Sequence, residues 1–159
     1  MDVLIERCAG LDVHRDTVVA TVRRPGPGGV RRSETRTFTT MTGQLEALAD
    51  WLAAQQVTLV GMESTGIYWK PVYCVLEDRF SVWVINAEHL RNVPGRKTDV
   101  ADSVWIAQLI EHGLVSPSFV PPRNVRLLRD VTRHGRRLTE ERTRAIQRIV
   151  EDAGAHYVD

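Results

Sequence analysis

Three strand-like segments come first in the chain, before any segment has the spacing of a helix. Residues 7–13 form a short apolar run that contains Asp12, and residues 17–23 are rich in β-branched side chains. Residues 30–39 alternate between polar and larger side chains, and the Pro-Gly segment at 25–29 predicts a hairpin turn before them. We therefore expect the chain to begin with antiparallel strands, the third of which lies at an edge of the sheet.

Helices and strands alternate after these three segments. Leu45, Leu48 and Leu52 have the spacing of one helix face, and short apolar runs between turn residues predict further strands. The predicted elements are a helix over 43–55 capped by Thr42, a strand over 57–62, a helix over 67–78, a strand over 80–85, and a helix over 98–112 capped by Thr98 and closed by Gly113.

This order of elements predicts an α/β fold with a mixed sheet and helices on its faces. It is the order of the ribonuclease H-like fold. A proline break at 121–122 then precedes one long helical stretch, about residues 123–152. We expect one domain over residues 1–120 and a long, arginine-rich helix over residues 121–159.

Four acidic residues lie at the ends of predicted elements. Asp12 is near the end of the first strand, Glu63 follows the fourth, and Asp99 and Asp102 share one face at the start of a helix. If the first and fourth strands are neighbours, these carboxylates converge, and their repulsion requires protons or cations. Oxygen ligands of this kind suit Mg²⁺ or Mn²⁺, and two such ions clamp a phosphodiester. The alternative is that Asp99 and Asp102 are ordinary first-turn acids, which favour the helix dipole.

Short motifs surround each of these carboxylates. They read Gly-Leu-Asp-Val-His at 10–14, Gly-Met-Glu-Ser-Thr-Gly at 61–66 and Pro-Gly-Arg-Lys-Thr-Asp-Val-Ala-Asp at 94–102. Together they resemble the signature of the DEDD transposases, insertion-sequence recombinases whose catalytic domain is similar to the Holliday-junction resolvase RuvC. The segments at 112–114, 118–122 and 129–133 are similar to that family too, so the resemblance covers about residues 7–154.

The resemblance implies a RuvC-like catalytic domain for DNA cleavage and strand transfer. In that domain Asp12, Glu63, Asp99 and Asp102 are implied to be both the catalytic residues and the ligands of two Mg²⁺ or Mn²⁺ ions. Ser103 is a minor departure, because the family usually has alanine there.

The resemblance also implies partners and a further domain. The implied nucleic acids are the element ends, the target DNA and a structured non-coding guide RNA that the element encodes. In the family a domain after the long helix carries a catalytic serine, and this chain ends about where that domain begins. We therefore expect the chain alone to lack full recombination activity.

Basic residues are unevenly distributed. Arg15, in the turn after the first strand, and Arg96 and Lys97, before the paired aspartates, are expected to hold phosphates, the alternative being solvated loops. Residues 1–120 contain 12 basic and 14 acidic residues, whereas residues 121–159 contain nine arginines and six acids. The chain therefore has a basic region that its net charge of +1 conceals.

The long helix carries two stripes of different chemistry. Together with Arg129, the residues Arg126, Arg133 and Arg137 form a stripe with three- and four-residue steps, which predicts contact with a nucleic-acid backbone. An apolar seam that includes Leu128 and Leu138 predicts pairing with a second copy, in a homodimer or tetramer. Both predictions can hold together, because a dimer seam leaves the other face free.

Length and composition exclude several other classes. An actin-like kinase needs two such domains, which 159 residues do not supply. Two cysteines are too few for a disulfide framework, so we expect reduced, buried thiols. No apolar run approaches the roughly 18 residues that span a bilayer, and no signal peptide is predicted, so we expect a cytoplasmic, nucleoid-associated chain without a membrane partner. A non-catalytic nucleic-acid-binding or oligomerisation module and a RuvC-like structure-specific nuclease remain as alternatives.

Overall fold

The computed structural model describes residues 2–64, 66–94 and 101–155, and the chain divides into two units, Met1–Phe119 and Val120–Asp159. A five-stranded sheet forms the centre of the first unit, with its strands in the order β3-β2-β1-β4-β5. The strands are β1 (Cys8–Val13), β2 (Thr17–Pro25), β3 (Arg31–Thr39), β4 (Leu59–Glu63) and β5 (Ser81–Ile85).

Only β2 runs against the other four strands. β1 and β3 both pair with β2 in antiparallel fashion, whereas β4 pairs in parallel with β1 and with β5. The hairpins join the antiparallel strands, and the parallel strands are reached through helices, as parallel pairing requires. This arrangement confirms the ribonuclease H-like fold that the element order predicted. The first and fourth strands are neighbours, which is the condition for Asp12 and Glu63 to lie at one edge.

Five α-helices follow or connect these strands within the described part of the chain. They are α1 (Thr42–Ala54), α2 (Trp69–Leu76), α3 (Ala87–Asn92), α4 (Asp102–Glu111) and α5 (Arg123–Ala155). A single 3-10 turn over Pro27–Gly29 joins β2 to β3, where Gly28 and Gly29 have positive φ. This turn is the predicted hairpin connection.

Two predictions about helix starts are wrong. Thr42 is the first residue of α1 and not its cap, because the N-cap position is Met41, which makes no side-chain capping hydrogen bond. No helix start is predicted between the strand over 80–85 and the helix over 98–112, but α3 begins there, and the Asn86 side chain accepts a hydrogen bond from the Glu88 amide at 2.9 Å. Six residues are too few to show a helical period, so the capping residue was the available signal.

The helix predicted over 98–112 corresponds to α4. Thr98, the predicted cap, lies outside the described residues. Gly113 ends the helix as predicted, with a φ of 67°. The expectation of two buried thiols is confirmed for Cys8 and wrong for Cys74, which is exposed.

α4 lies directly on one face of the sheet, against β1, β2 and β4. A Cβ atom at Gly10 would overlap the Ser103 carbonyl oxygen and the Ala107 amide nitrogen, and one at Gly61 would overlap the tip of Ile110. Glycine inside a strand marks such a close approach of backbone. The two glycines therefore set the depth at which α4 sits on the sheet.

A buried ion cluster holds the carboxyl end of α4. Glu111 is fully buried, and its carboxylate accepts hydrogen bonds from Arg23 Nε at 2.7 Å and from Arg31 Nε. Beside it, the Cys8 thiol donates to the Ala107 carbonyl oxygen at 3.4 Å, and burial raises the pKa of this thiol to about 12. The two arginines lie on β2 and β3, so the cluster ties the helix to the hairpin.

α1 packs on the opposite face of the sheet. Val18 and Ala20 of β2 are fully buried and lie opposite Phe38 and Arg36 of β3. The Phe38 ring centroid is 5.7 Å from that of Trp51 in α1, and the Arg36 guanidinium carbon is 5.0 Å from the Trp51 ring centroid. The first unit is therefore a sheet covered by a helix on each face.

α5 makes up the described part of the second unit. Its 33 residues give a helix about 50 Å long. Its large apolar side chains are exposed, among them Leu128, Val131, Leu138 and Ile149. Within the described residues, none of the helices has both the length and the apolar character needed to cross a membrane.

Candidate active site

Two of the predicted carboxylates end neighbouring parallel strands. Gly10 of β1 lies opposite Gly61 of β4 in the parallel register, so Asp12 and Glu63 are each two residues further along. Because side chains alternate along a strand, Asp12 and Glu63 point to the same face as these glycines, which is the face that α4 covers. Both side chains are half-buried at the carboxyl edge of the sheet.

α4 brings Asp102 to the same edge. Its amino end lies over Gly10, where Ser103 contacts β1, and its carboxyl end reaches Arg23, which lies opposite Cys8 at the start of β1. The helix therefore runs antiparallel to β1, and Asp102, its first residue, lies at the end of β1 that carries Asp12. Three of the four predicted carboxylates thus converge, and Asp99 lies outside the described residues.

The pKa of the Asp12 carboxyl reflects the nearness of the other two carboxylates. Burial raises the pKa of the Asp12 carboxyl above its ordinary value, and the charges of Asp102 and Glu63 raise it further. His14 acts in the opposite direction, because its Nε2 lies 3.0 Å from Asp12 Oδ2 and its charge and hydrogen bond both lower the pKa. The edge is therefore a place where a bound cation would relieve repulsion between carboxylates.

The donor set at this edge fits a hard divalent cation. The three converging side chains offer carboxylate oxygens, the ligand type that Mg²⁺ and Mn²⁺ prefer. In the part of the chain that the structure describes, no three His, Cys, Asp or Glu side chains are grouped closely enough to hold a metal ion. A metal site at this edge would need the three carboxylates to lie closer together than they do in the structure.

The predicted phosphate-binding residues are placed in different parts of the chain. Arg15 is exposed in the turn between β1 and β2, next to the carboxylate edge, and its Nε is 3.8 Å from Asp16 Oδ1. Arg96 and Lys97 lie outside the described residues. In α5, Arg126 donates to the Pro121 carbonyl oxygen at 2.9 Å. Arg133 and Arg137 are exposed on the same helix.

Two buried hydroxyls near Asp102 were not singled out from the sequence. Thr21 Oγ1 of β2 is 2.9 Å from Ser103 Oγ, and both residues are fully buried. The available signal was the serine itself, which stands where the resemblance predicted alanine. Glu111 was also missed, because a glutamate in a helix is usually solvated and its arginine partners are 80 and 88 residues away.

The mixed five-stranded sheet with helices on its faces defines the ribonuclease H-like class of fold. The profile of a transposase family, the DEDD transposases of the IS110 group, matches residues 9–151. The chain belongs to this transposase family and contains the catalytic domain of a DNA recombinase. None of the curated proteins matches the sequence.

Solved structures with similar backbones include two of RuvC from Thermus thermophilus. The free protein is 13% identical over 70% of this chain and 99% of its own, with a TM-score of 0.48. RuvC in complex with a Holliday junction substrate is 12% identical over 71% of this chain and 99% of its own, also with a TM-score of 0.48. The Fowlpox virus resolvase with its Holliday junction is 11% identical over 58% of this chain and 65% of its own, with a TM-score of 0.40.

Proposed function

We propose that residues 1–120 are a metal-dependent catalytic domain for DNA cleavage and strand transfer, and that Asp12, Glu63, Asp99 and Asp102 hold two Mg²⁺ or Mn²⁺ ions. The observation that carries this proposal is the convergence of three carboxylates from β1, β4 and α4 on one edge of the sheet. Divalent ions bound there would stabilise the attacking and leaving oxygens of a phosphodiester.

The chain itself contributes position and charge. β1 and β4 fix Asp12 and Glu63 through their parallel register, and α4 fixes Asp102 because it is locked on Gly10. His14 holds Asp12 through the 3.0 Å contact with Oδ2 and offsets part of the negative charge when no cation is present. A phosphodiester would therefore meet a site whose ligands are set by backbone pairing and helix packing.

Basic residues outside the carboxylate edge would bind the nucleic-acid backbone. Arg15 is exposed next to Asp12, and we assign it, with Arg96 and Lys97, to phosphates near the reacting bond. The exposed arginines of α5, Arg133 and Arg137, supply a second contact surface, with Arg126 at its start. The proposed ligands are the ends of the mobile element, the target DNA and a structured guide RNA.

The arginine-rich helix, residues 121–159, also has a surface for self-association. Leu128, Val131, Leu138 and Ile149 are exposed. They are separated by 3, 7 and 11 residues, so they fall on one seam of a heptad repeat. We propose that this seam forms a homodimer or tetramer. Analytical ultracentrifugation tests it: Leu138→Glu should give a monomer, whereas an unchanged mass would contradict the seam.

Metal binding tests the catalytic proposal. In calorimetric titrations with Mn²⁺, the native chain should bind, whereas Asp12→Asn, Glu63→Gln and Asp102→Asn should each weaken binding at least tenfold. Asp78→Asn is the matched control, because Asp78 is an exposed carboxylate after α2. Equal Mn²⁺ binding by the native chain and all three site variants would contradict the assignment.

Salt dependence tests the proposed DNA contacts. Each phosphate contact adds about 0.9 to the slope of log affinity against log salt concentration for duplex DNA. Arg133→Ala and Arg137→Ala should each lower this slope by about 1. Arg79→Ala is the control, since Arg79 already pairs with Asp50 at 2.8 Å in the first unit. A slope unchanged in both α5 variants would contradict a backbone contact there.

A further inference from the structure

A chain of three hydroxyl groups connects the outer strand of the sheet to the amino end of α4. Thr35 Oγ1 of β3 is 2.8 Å from Thr21 Oγ1 of β2, which in turn is 2.9 Å from Ser103 Oγ of α4. Thr21 and Ser103 are fully buried, whereas Thr35 is exposed at the edge strand. Because Thr21 and Ser103 are buried among apolar core residues, the hydrogen bond between their hydroxyls replaces contacts with water that both have lost.

The first turn of α4 has no side-chain cap. Its N-cap residue, Ala101, has no side chain that can cap the free backbone amides, and none does so in the structure. The first helical hydrogen bond runs from the Trp105 amide to the Ala101 carbonyl oxygen at 3.0 Å. The hydrogen bond between Ser103 Oγ and Thr21 Oγ1 joins the second residue of the helix to the sheet, in addition to the close approach of the Ser103 carbonyl oxygen to Gly10.

The hydrogen bond between Thr21 and Ser103 lies next to Asp102, one of the proposed metal ligands. Ser103 directly follows Asp102, and its carbonyl oxygen lies against Gly10, two residues before Asp12. Any movement of Ser103 relative to β2 is therefore passed on through the backbone to Asp102. We propose that Ser103 and Thr21 are positioning residues for Asp102, and that their hydrogen bond holds this carboxylate in place for metal binding.

This inference rests on the proposed function, because it assigns a role to Ser103 and Thr21 in a metal site. It adds to that function a positioning hydrogen bond that depends on the serine at position 103. It also predicts that the β2–β3 hairpin influences the carboxylate edge, because Thr21 belongs to that hairpin.

Four variants separate positioning from simple support of the fold. Ser103→Ala removes the hydrogen bond and leaves Thr21 its second partner, Thr35. Thr21→Val also removes the bond, whereas Thr21→Ser keeps a hydroxyl at the same place. Thr35→Val is the matched control, since it shortens the chain of hydroxyls but leaves the bond to Ser103 intact.

The measurements are the Mn²⁺ dissociation constant of each folded variant and the hydrogen-exchange rate of the Trp105 amide without metal. Losing one hydrogen bond corresponds to about a three- to tenfold change in an equilibrium constant. Ser103→Ala and Thr21→Val should therefore weaken Mn²⁺ binding and speed Trp105 exchange, each by about three- to tenfold. Thr21→Ser and Thr35→Val should stay close to the native values in both measurements.

The outcomes distinguish the inference from the function on which it rests. Native Mn²⁺ affinity in Ser103→Ala and Thr21→Val, even with a lower melting temperature, would overturn the positioning role and leave the metal site intact. A native chain that binds no Mn²⁺ would contradict the proposed function. In that case the exchange rate of the Trp105 amide still tests whether the hydrogen bond between Thr21 and Ser103 orders the first turn of α4. An unchanged exchange rate in Ser103→Ala and Thr21→Val would overturn this ordering role as well.

Discussion

The close approach of α4 to β1 can be tested by adding one methyl group. In Gly10→Ala the new Cβ would overlap the Ser103 carbonyl oxygen and the Ala107 amide nitrogen, and it would lie 3.0 Å from the Ile106 Cβ. The first two obstacles are backbone atoms of a helix, so no side-chain rotation can remove them. α4 must therefore move away from the sheet by about 1 Å to restore ordinary contacts.

The cost follows from what α4 buries. Ile106, Leu109 and Ile110 face the sheet and are at most 1% exposed. A gap of about 0.5–1 Å forfeits a quarter to a half of such contacts, and overpacking of this kind costs about 3 kcal/mol. Replacing glycine by alanine returns about 1 kcal/mol through the lower entropy of the unfolded chain. We therefore expect Gly10→Ala to lower the free energy of unfolding by about 2 kcal/mol.

Gly61→Ala is the matched comparison in the same sheet. Its Cβ would meet Ile110 Cδ1, the end of a side chain that can rotate, and Ile85 Cδ1 at 3.2 Å. The expected loss is below about 1 kcal/mol. Urea unfolding followed by tryptophan fluorescence measures both variants. If Gly10→Ala were as stable as the native chain, or more stable than Gly61→Ala, the packing of α4 on β1 would be wrong.

Three further predictions concern buried charge, pH and thiol reactivity. Glu111→Gln leaves two arginines beside a neutral amide and should lower the free energy of unfolding in urea by about 3–5 kcal/mol. Glu34→Gln, at a half-exposed glutamate, should lower it by less than about 1 kcal/mol. Equal losses in the two variants would contradict the buried cluster. Because the pKa of Asp12 is raised in the folded state, the stability of the metal-free native chain should fall as pH rises through that pKa. The advantage of Asp12→Asn over the native chain should then grow as pH rises from about 4, the ordinary pKa of an aspartate, through the raised pKa of Asp12. A stability difference that does not change with pH would refute this prediction. Cys74 should react quickly with a thiol reagent and Cys8 only on unfolding, since burial raises its pKa to about 12; two thiols reacting together would contradict this.

The sequence was most informative where local chemistry decides structure. β-Branched runs and the Pro-Gly segment indicated β1, β2 and β3, and the order of elements was enough to predict a mixed sheet of the ribonuclease H-like class. The carboxylate edge followed from Asp12 and Glu63 at strand ends, because strand ends meet at one edge whatever the details of packing.

Features that depend on contacts distant in sequence were missed. Nothing near Glu111 in the chain indicates that Arg23 and Arg31 will surround it, since the pairing exists only after α4 has docked on the hairpin. The hydrogen bond between Thr21 and Ser103 spans 82 residues and is equally invisible to local patterns. Gly10 had a usable signal, because glycine inside an apolar strand indicates that another backbone comes close.

The central claim is that the carboxylate edge of the sheet binds divalent metal. A crystal of the chain grown with Mn²⁺, with diffraction recorded at the manganese absorption edge, tests it directly. The claim predicts anomalous peaks within direct coordination distance of the carboxylate oxygens of Asp12, Glu63 and Asp102, and their loss in Asp12→Asn. Manganese bound only elsewhere on the chain, or an empty edge at millimolar Mn²⁺, would contradict it.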